Sequence, residues 1–465
     1  MPLSVELRSL SLGTRAERFK QGKKLRRGVP RETHGDLRGL GSRSAVAILA
    51  ESDPDRVPEL VPERYKRMMV NPFAFLRGAA AVMAADLVHQ PMAGVKVQAC
   101  GDSHLMNFGA FATPEDNILF DVNDFDETIS GVDFTVDLKR LAASVAVATL
   151  ANGETKKRAR ALAATAVAAY RKHVFGLLEL SPLEIWHSRI DLEQQLKLIG
   201  NKGLRLKLAT IINKARGEGL EKDDNFPRLV SGSELRVADK PPAIFHLDAR
   251  ANAALKFDAD RVFGLYRDCL NTDRRHILDR HKIVDLVFKV VGVGSVGTFC
   301  CVALLMTGDR EPLFLQLKQA QRSVLERLGG GVTYDGHQGR RVVEGQQMMQ
   351  AASDIFLGYT QDDKTGRQFY VRTLKNHRLG GISEIEEVEA LSDYARICGR
   401  TLARAHARSG DPAMIAGYMG KSEVMDDAIA SFAMAYAGQT VVDHAALVKA
   451  KTNRDKKKLK LVAAA

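Results

Sequence analysis

From Pro72 onward, apolar positions recur at helical spacing, with Phe73, Leu76, Ala80, Met83 and Leu87 on one stripe, which predicts a helix with a packed face. A short helix over Ser44 to Ser52 precedes it, and Pro54, Pro58 and Pro62 then punctuate an extended approach to Arg64. The period changes to two at Val95 to Ala99 and at Ile118 to Val122, with turn residues from Thr113 to Asn117, so the stretch Gly101 to Asn107 falls in a loop between two strands. A long helix is expected from Glu154 to about Leu178. Beyond Ile283 the strings D-L-V-F-K-V-V, G-T-F-C-C-V-A-L-L-M and P-L-F-L-Q-L-K read as strands, with a turn at Thr307 to Arg310. Helical spacing returns from about Gly339 to Ser353. Strands are expected at Ile355 to Tyr359 and Phe369 to Leu374, and a helix from Glu384 to Ala407. The fold class is therefore α+β.

Charge changes this picture only at the ends. The chain of 465 residues carries a formal +12, but residues 1–44 hold +7 and residues 449–465 hold +6, which leaves the body at −1. Two basic ends can touch polyanions without specificity, and the simplest expectation is a basic head, partly disordered, and a solvated basic tail. With no run of about 18 apolar residues, no membrane partner is expected. The first 30 positions interleave Arg8, Arg15, Arg18, Lys20, Lys23 and Lys24 with polar residues, unlike a signal core. The five cysteines are scattered without a C-x-x-C pair, which points away from a disulfide framework or zinc cluster and toward the cytoplasm.

Candidate chemistry concentrates in one stretch. Asp102, His104, Asn107, Asp121, Asp124, Asp126 and Glu127 lie on or beside apolar strands, an arrangement that is costly unless the charges are paired or hold a cation. Mg²⁺ suits such a set, because it takes hard oxygen ligands, often one or two carboxylates completed by substrate phosphates and water. Phosphoryl transfer in protein kinases uses a loop Asp, a metal-binding Asn five residues later and a second metal-binding Asp in an Asp-Phe-Gly turn. Here Asp102 and Asn107 have that spacing and Asp124-Phe125-Asp126 follows, with Asp126 in place of the usual Gly. His34-Gly35-Asp36 imitates the loop by letter, but Gly41 stands where the Asn would be.

The strings R-V-P-E-L-V-P-E-R-Y, C-G-D-S-H-L-M-N-F-G-A-F, D-V-N-D-F-D-E-T and D-L-K-R-L-A-A-S resemble a bacterial domain-of-unknown-function family, number 2252. So do V-G-V-G-S-V-G-T, V-V-E-G-Q-Q-M-M-Q-A-A-S-D-I-F-L-G, F-Y-V-R-T-L-K and L-A-R-A-H-A-R-S-G-D. The resemblance spans roughly residues 20–440 and implies a kinase-like relationship, nearest to the aminoglycoside phosphotransferase and HipA-like branches, without a known substrate. It implies Asp102 and His104 as catalytic residues, with Asn107, Asp124 and Asp126 at the metal.

A kinase-like enzyme also needs a glycine turn over the phosphates, a strand Lys and a helix Glu to hold that Lys. Gly292, Gly294 and Gly297 supply the turn, and the strand-like Thr298 to Met306 behind them favours a hairpin over a dinucleotide fold. Lys318 supplies the strand Lys. Glu344 is expected as its partner in preference to Glu326, which follows too closely. Asp137 resembles the helix Asp that braces the loop from behind, and His406 ends the helix that ordinarily leads into it. These parts stand in an unusual order, because the loop precedes the glycine turn by about 190 residues. A protein-kinase-like two-lobed fold, circularly permuted, is therefore expected. Its segments are a basic head (1–44), a helical catalytic region with the metal site (45–280), a β-rich nucleotide lobe (281–380), the helical remainder of the catalytic lobe (381–448) and a basic tail (449–465). The expected activity is ATP-dependent, Mg²⁺-requiring transfer of phosphate to an unknown hydroxyl-bearing acceptor. Adenylyl transfer, a metal-dependent hydrolase without nucleotide and a silent nucleotide- or nucleic-acid-binding module are the alternatives.

Overall fold

Nearly every side of the helix Phe134–Ala151 (α5) is buried, and the chain wraps it accordingly. The computed structural model describes residues 13–40, 43–113, 115, 117–217, 227–230, 235–246, 257–290, 292–374 and 388–463. Earlier helices are α1 (Arg15–Leu25), α2 (Val61–Met68), α3 (Pro72–Gly78) and α4 (Ala80–Leu87), and later ones are α6 (Lys156–Leu177), α7 (Gln338–Met349), α8 (Val388–Ser409), α9 (Pro412–Met419) and α10 (Val424–Ala463). Leu138, Leu141 and Val145 of α5 pack with Leu162, Val167 and Tyr170 of α6, Leu402 of α8 and Phe432 of α10 in the largest core. A mostly apolar helix belongs in such a place, and its Asp137, Lys139 and Arg140 are buried with it. Asp133 caps α5 through the Thr135 N–H at 3.0 Å.

Two small antiparallel pairs stand on this helical body. Strand β1 (Lys96–Ala99) pairs with β4 (Ile129–Asp133), and between them β2 (Phe108–Ala112) pairs with β3 (Ile118–Val122). The whole stretch from Cys100 to Thr128 is thus one excursion closed at its base by β1 and β4, which brings its two acidic ends together. A separate six-stranded antiparallel sheet runs in the order β5 (Ile244–Phe245), β6 (Lys282–Lys289), β7 (Cys300–Met306), β8 (Pro312–Gln319), β10 (Gln368–Thr373), β9 (Gly358–Gln361). Its odd-numbered residues Cys301, Ala303, Leu315, Leu317, Phe369 and Val371 build an apolar core with Val262, Phe263 and Tyr266. By the two-residue period of a strand, Lys318, Tyr370 and Arg372 face the other way.

Several expected boundaries shift. The stripe from Pro72 is two helices, α3 and α4, broken at Ala79 (φ −114°, ψ 33°). The strand expected at Ile355 begins only at Gly358, and the described part of the helix expected from Glu384 starts at Val388. The described part of the basic head is folded onto the body. Thr14 and Glu17 form a capping box on α1, and Gly22 and Gly417 let the backbones of α1 and α9 approach more closely than a Cβ would permit. Arg26 and Arg31 donate to the carbonyls of Tyr418 (2.8 Å) and Met419 (2.7 Å) at the end of α9. His34 is buried against the Tyr418 hydroxyl at 2.6 Å, and burial, with the nearby Lys139 charge, lowers its pKa to about 3. The tail as far as Ala463 continues α10 as helix. No helix among the described residues is long and apolar enough to cross a membrane.

Candidate functional site

The loop after β1 is braced from beneath by α5. The buried carboxylate of Asp137 accepts the N–H groups of Cys100 (2.7 Å) and Gly101 (2.9 Å) and meets His406 Nε2 at 3.1 Å. His406 in turn meets the Tyr170 hydroxyl at 2.8 Å. One turn further along α5, Arg140 donates from Nε to Asp102 Oδ1 (2.8 Å), with which Nη2 forms an ion pair at 2.7 Å, and from Nη2 to the Leu76 carbonyl (2.7 Å). Asp102 keeps 19% of its side chain exposed. Burial raises its pKa to about 6 against the opposing pull of Arg140. His104 is held neutral by burial and by the charges of Arg140 and Arg77. Its Nδ1 accepts the Met106 N–H at 3.1 Å, which leaves Nε2 3.7 Å from Asp102 Oδ2.

Asn107 donates from Nδ2 to the Asp102 carbonyl at 2.7 Å, and its own carbonyl accepts the Asn123 N–H at 2.9 Å. The two ends of the excursion are tied there, one residue before Asp124. Among the described residues Asn107 Oδ1 takes no hydrogen bond, and Asp124 accepts one, from the Asp126 N–H to its Oδ1 at 3.2 Å. One amide oxygen and one carboxylate fit Mg²⁺, which relies on substrate phosphates and water for the rest of its shell. Among the described residues no group of three His, Cys, Asp or Glu side chains stands ready as a cage for an ion.

Asp126 has a different position from the metal ligand expected of it. Its Oδ2 pairs with Lys318 and accepts the Ser295 hydroxyl at 2.9 Å, while its Oδ1 accepts the Tyr370 hydroxyl at 2.8 Å. Lys318 also donates to Ser295 Oγ at 2.9 Å. Both Asp126 oxygens are therefore occupied, and two sheet residues and one from the turn between β6 and β7, 169 to 244 positions away in the chain, meet on one acidic side chain. Burial, the largest influence, would raise the Asp126 pKa, but the Lys318 charge together with the hydrogen bonds from Lys318, Tyr370 and Ser295 makes the net shift downward. Lys318, buried to 3% exposure, is raised because Asp124 and Asp126 outweigh its desolvation.

Glu344 is not the partner of Lys318. It lies half-exposed on α7 and pairs with Arg340 one turn back at 2.7 Å. Glu326 pairs with Arg322 at 2.6 Å. The inward residue of α7 is Arg341, which donates to the carbonyls of Asp126 (2.9 Å) and Gln321 (2.7 Å) and to that of Thr128. The helix thus steadies the backbone of the 126–128 turn and offers no carboxylate to the Lys. Glu127, beside it, is raised to about 7 by burial, against the Val324 N–H that it accepts.

Gly292, Gly294 and Gly297 form the turn joining β6 to β7, and Gly292 (φ +67°) and Gly297 (φ +88°) occupy backbone conformations that favour glycine. The turn is clasped by the segment before β1. Arg67 donates to the Gly292 carbonyl at 2.8 Å, the Val57 N–H to that of Gly297 at 2.7 Å, and Arg56 to that of Val296. Ser295 at its tip is the residue that reaches Asp126.

Asp121, counted in the acidic cluster, points away from this cleft. It is buried on Arg404 and accepts the N–H groups of Val122 and Ala351, both at 2.9 Å. Reading the residues in order missed Arg140, Ser295, Arg341, Tyr370 and Arg372. For the last two a signal existed: in F-Y-V-R-T they alternate with Phe369 and Val371, a polar face on a strand whose other face is core.

Comparison with known families gives a match over residues 56–450 to the family described as uncharacterized protein conserved in bacteria, DUF2252. No curated protein and no solved structure matches the chain.

Proposed function

The chain belongs to the DUF2252 family, and from the site it carries we propose an ATP-dependent, Mg²⁺-requiring phosphotransferase on a circularly permuted kinase-like fold. The observation that carries this reading is the junction of Lys318 with Asp126, two residues from Asp124, across a separation of 192 positions. A strand Lys near the metal-binding Asp is one part of phosphate placement, and here Asp126 holds that Lys in place of a helix Glu. Chain order within the sheet supports it: a strand, a glycine turn, a strand, the Lys strand and a helix follow one another as β6, Gly292 to Gly297, β7, β8 and α7. So does the loop, where Asn107 turns its amide N–H to the Asp102 carbonyl and keeps an oxygen for a cation.

In this reading an acceptor hydroxyl gives its proton to Asp102, which is mostly ionised at neutral pH yet more basic than an exposed Asp. The acceptor oxygen bonds to the γ-phosphorus, the bond from that phosphorus to the β-bridging oxygen breaks, and ADP leaves. Asn107 and Asp124 would hold Mg²⁺, which supplies neutralisation of the phosphate charge. Arg140 and His104 orient Asp102. The hydrolase alternative loses support because Asp121 and Asp126 are both committed to cations of the protein. Incubation with Mg-ATP, followed by mass spectrometry of protein and nucleotide, tests the reading. ADP with a phosphoryl-sized gain on a hydroxyl is expected. AMP and pyrophosphate would move the reading to adenylyl transfer, and unaltered ATP that also fails to bind would remove it.

A further inference from the structure

Lys318 and Arg140, two cations that flank Asp124 and Asp102, each hold a carboxylate of the protein. Arg372 does not. It stands on β10 directly across from Gln316 of β8, as Tyr370 stands across from Lys318, so the four side chains share the sheet face that looks toward Asp124. Its Nε donates to Gln316 Oε1 and its Nη1 to the Asn123 carbonyl, each at 3.2 Å, and both acceptors are neutral. Nη2 has no hydrogen-bond partner, and the guanidinium makes no ion pair, among the described residues. Gln316 is itself buried and fixed by a bond from Nε2 to the Cys300 thiol at 3.3 Å, so the guanidinium is held in place by neutral groups.

Among the described residues no carboxylate touches this half-buried guanidinium, whose charge is balanced only at a distance by Asp124 and Asp126, so its free Nη2 edge gains most from a directly bound anion. Its planar fork suits two oxygens of one phosphate better than the point charge of a Lys does. We propose that Arg372 is a phosphate-binding residue of the cleft, receiving an oxyanion of the triphosphate that Lys318 and the glycine turn also meet. This inference rests on the nucleotide reading above and adds to it which end of the ligand faces β10. The phosphate chain lies along the row Lys318, Gln316 and Arg372, and the base lies away from Arg372. A charged guanidinium beside a purine would gain far less.

Titration calorimetry of the full chain and of Arg372→Met, with Mg-ATP, Mg-tripolyphosphate and adenosine as probes, decides it. Loss of a bidentate charged contact is expected to weaken Mg-ATP and Mg-tripolyphosphate by about tenfold to a hundredfold and to leave adenosine unchanged. Equal affinity of variant and wild type for both polyphosphates would overturn the proposal, as would an equal loss for adenosine. Wild type that binds Mg-tripolyphosphate but does not prefer Mg-ATP would sink the nucleotide reading and leave Arg372 as an anion site. Failure of wild type with either polyphosphate would sink both. Should Arg372→Met not fold, Arg372→Lys keeps the charge and loses the fork. A drop of several-fold for polyphosphates is then expected, and undiminished binding would count against the proposal.

Discussion

The loop side and the sheet side of the cleft solve the same problem in opposite ways. On the loop side, buried polar groups are satisfied within one body: Asp137 by backbone N–H groups and His406, Asp102 by Arg140, Asn107 by the Asp102 carbonyl. On the sheet side, Lys318 finds its carboxylate only across the cleft, at Asp126, and Arg372 finds none among the described residues. The first arrangement is rigid before any ligand arrives. The second has charge to spend on a ligand, and its integrity depends on the two regions staying in contact. A preorganised carboxylate on one side and a cation with an open edge on the other is the division of labour that the proposed phosphoryl transfer would use.

Breaking the brace should cost most. Asp137→Ala removes a fully buried acceptor of three hydrogen bonds and is expected to destabilise the protein by about 3–5 kcal/mol, read as a fall in the denaturant midpoint without change in slope. An unchanged midpoint would mean that the loop does not depend on α5.

The junction comes next. In a double-mutant cycle on stability, Lys318→Met and Asp126→Asn should couple by about 1–3 kcal/mol, because each single change strands the same partner. Lys318→Met with Glu344→Ala should be additive. Coupling in the second pair and none in the first would restore Glu344 as the partner.

A pH-dependent effect sharpens the contrast from beneath the loop. Lys139 on α5 is fully buried, donates to the Pro91 carbonyl at 3.2 Å and lies over Phe432. Burial lowers its pKa from 10.5 to about 7. Between those values the unfolded chain holds the proton that the folded chain releases, so this group makes stability rise with pH from about 7 to 10.5. The slope is at most about 1.4 kcal/mol per pH unit. Lys139→Met should flatten that slope in pH-dependent melts, and an unaltered slope would show that Lys139 stays protonated in the fold. Least of all, Glu344→Ala should change stability by no more than about 0.5 kcal/mol and leave nucleotide affinity as it is.

How much of this could be read from the sequence follows from the range of each interaction. The run from Gly101 to Asp126 stood out because acidic residues beside apolar strands demand an explanation, and Lys318 stood out because the alternation around it is strict. The partner of Lys318 did not, since an ion pair between regions is fixed by the fold and leaves no local trace. Helical spacing put Glu344 on the right helix, α7, but on its outer face, where Arg340 sits one turn away. Asp126 was noticed for its charge and given to the metal, whereas the structure gives it to Lys318. Lys and Arg counted as charge hide their other uses at the two ends of the chain. Arg26 and Arg31 are hydrogen-bond donors to the end of α9, and a Lys-rich run is compatible with the continuation of α10 as helix.

The central claim is that segments far apart in sequence make one metal-dependent nucleotide site at Asp124. Titration of ATP into wild type and Asp124→Asn, each with and without Mg²⁺, tests it most directly. Wild type should bind tightly only with the metal, because Mg²⁺ screens phosphate charge that Asp124 otherwise repels. The variant should lose about tenfold or more of the Mg-ATP affinity and most of the difference that the metal makes. Equal and metal-independent binding by both proteins would contradict the account.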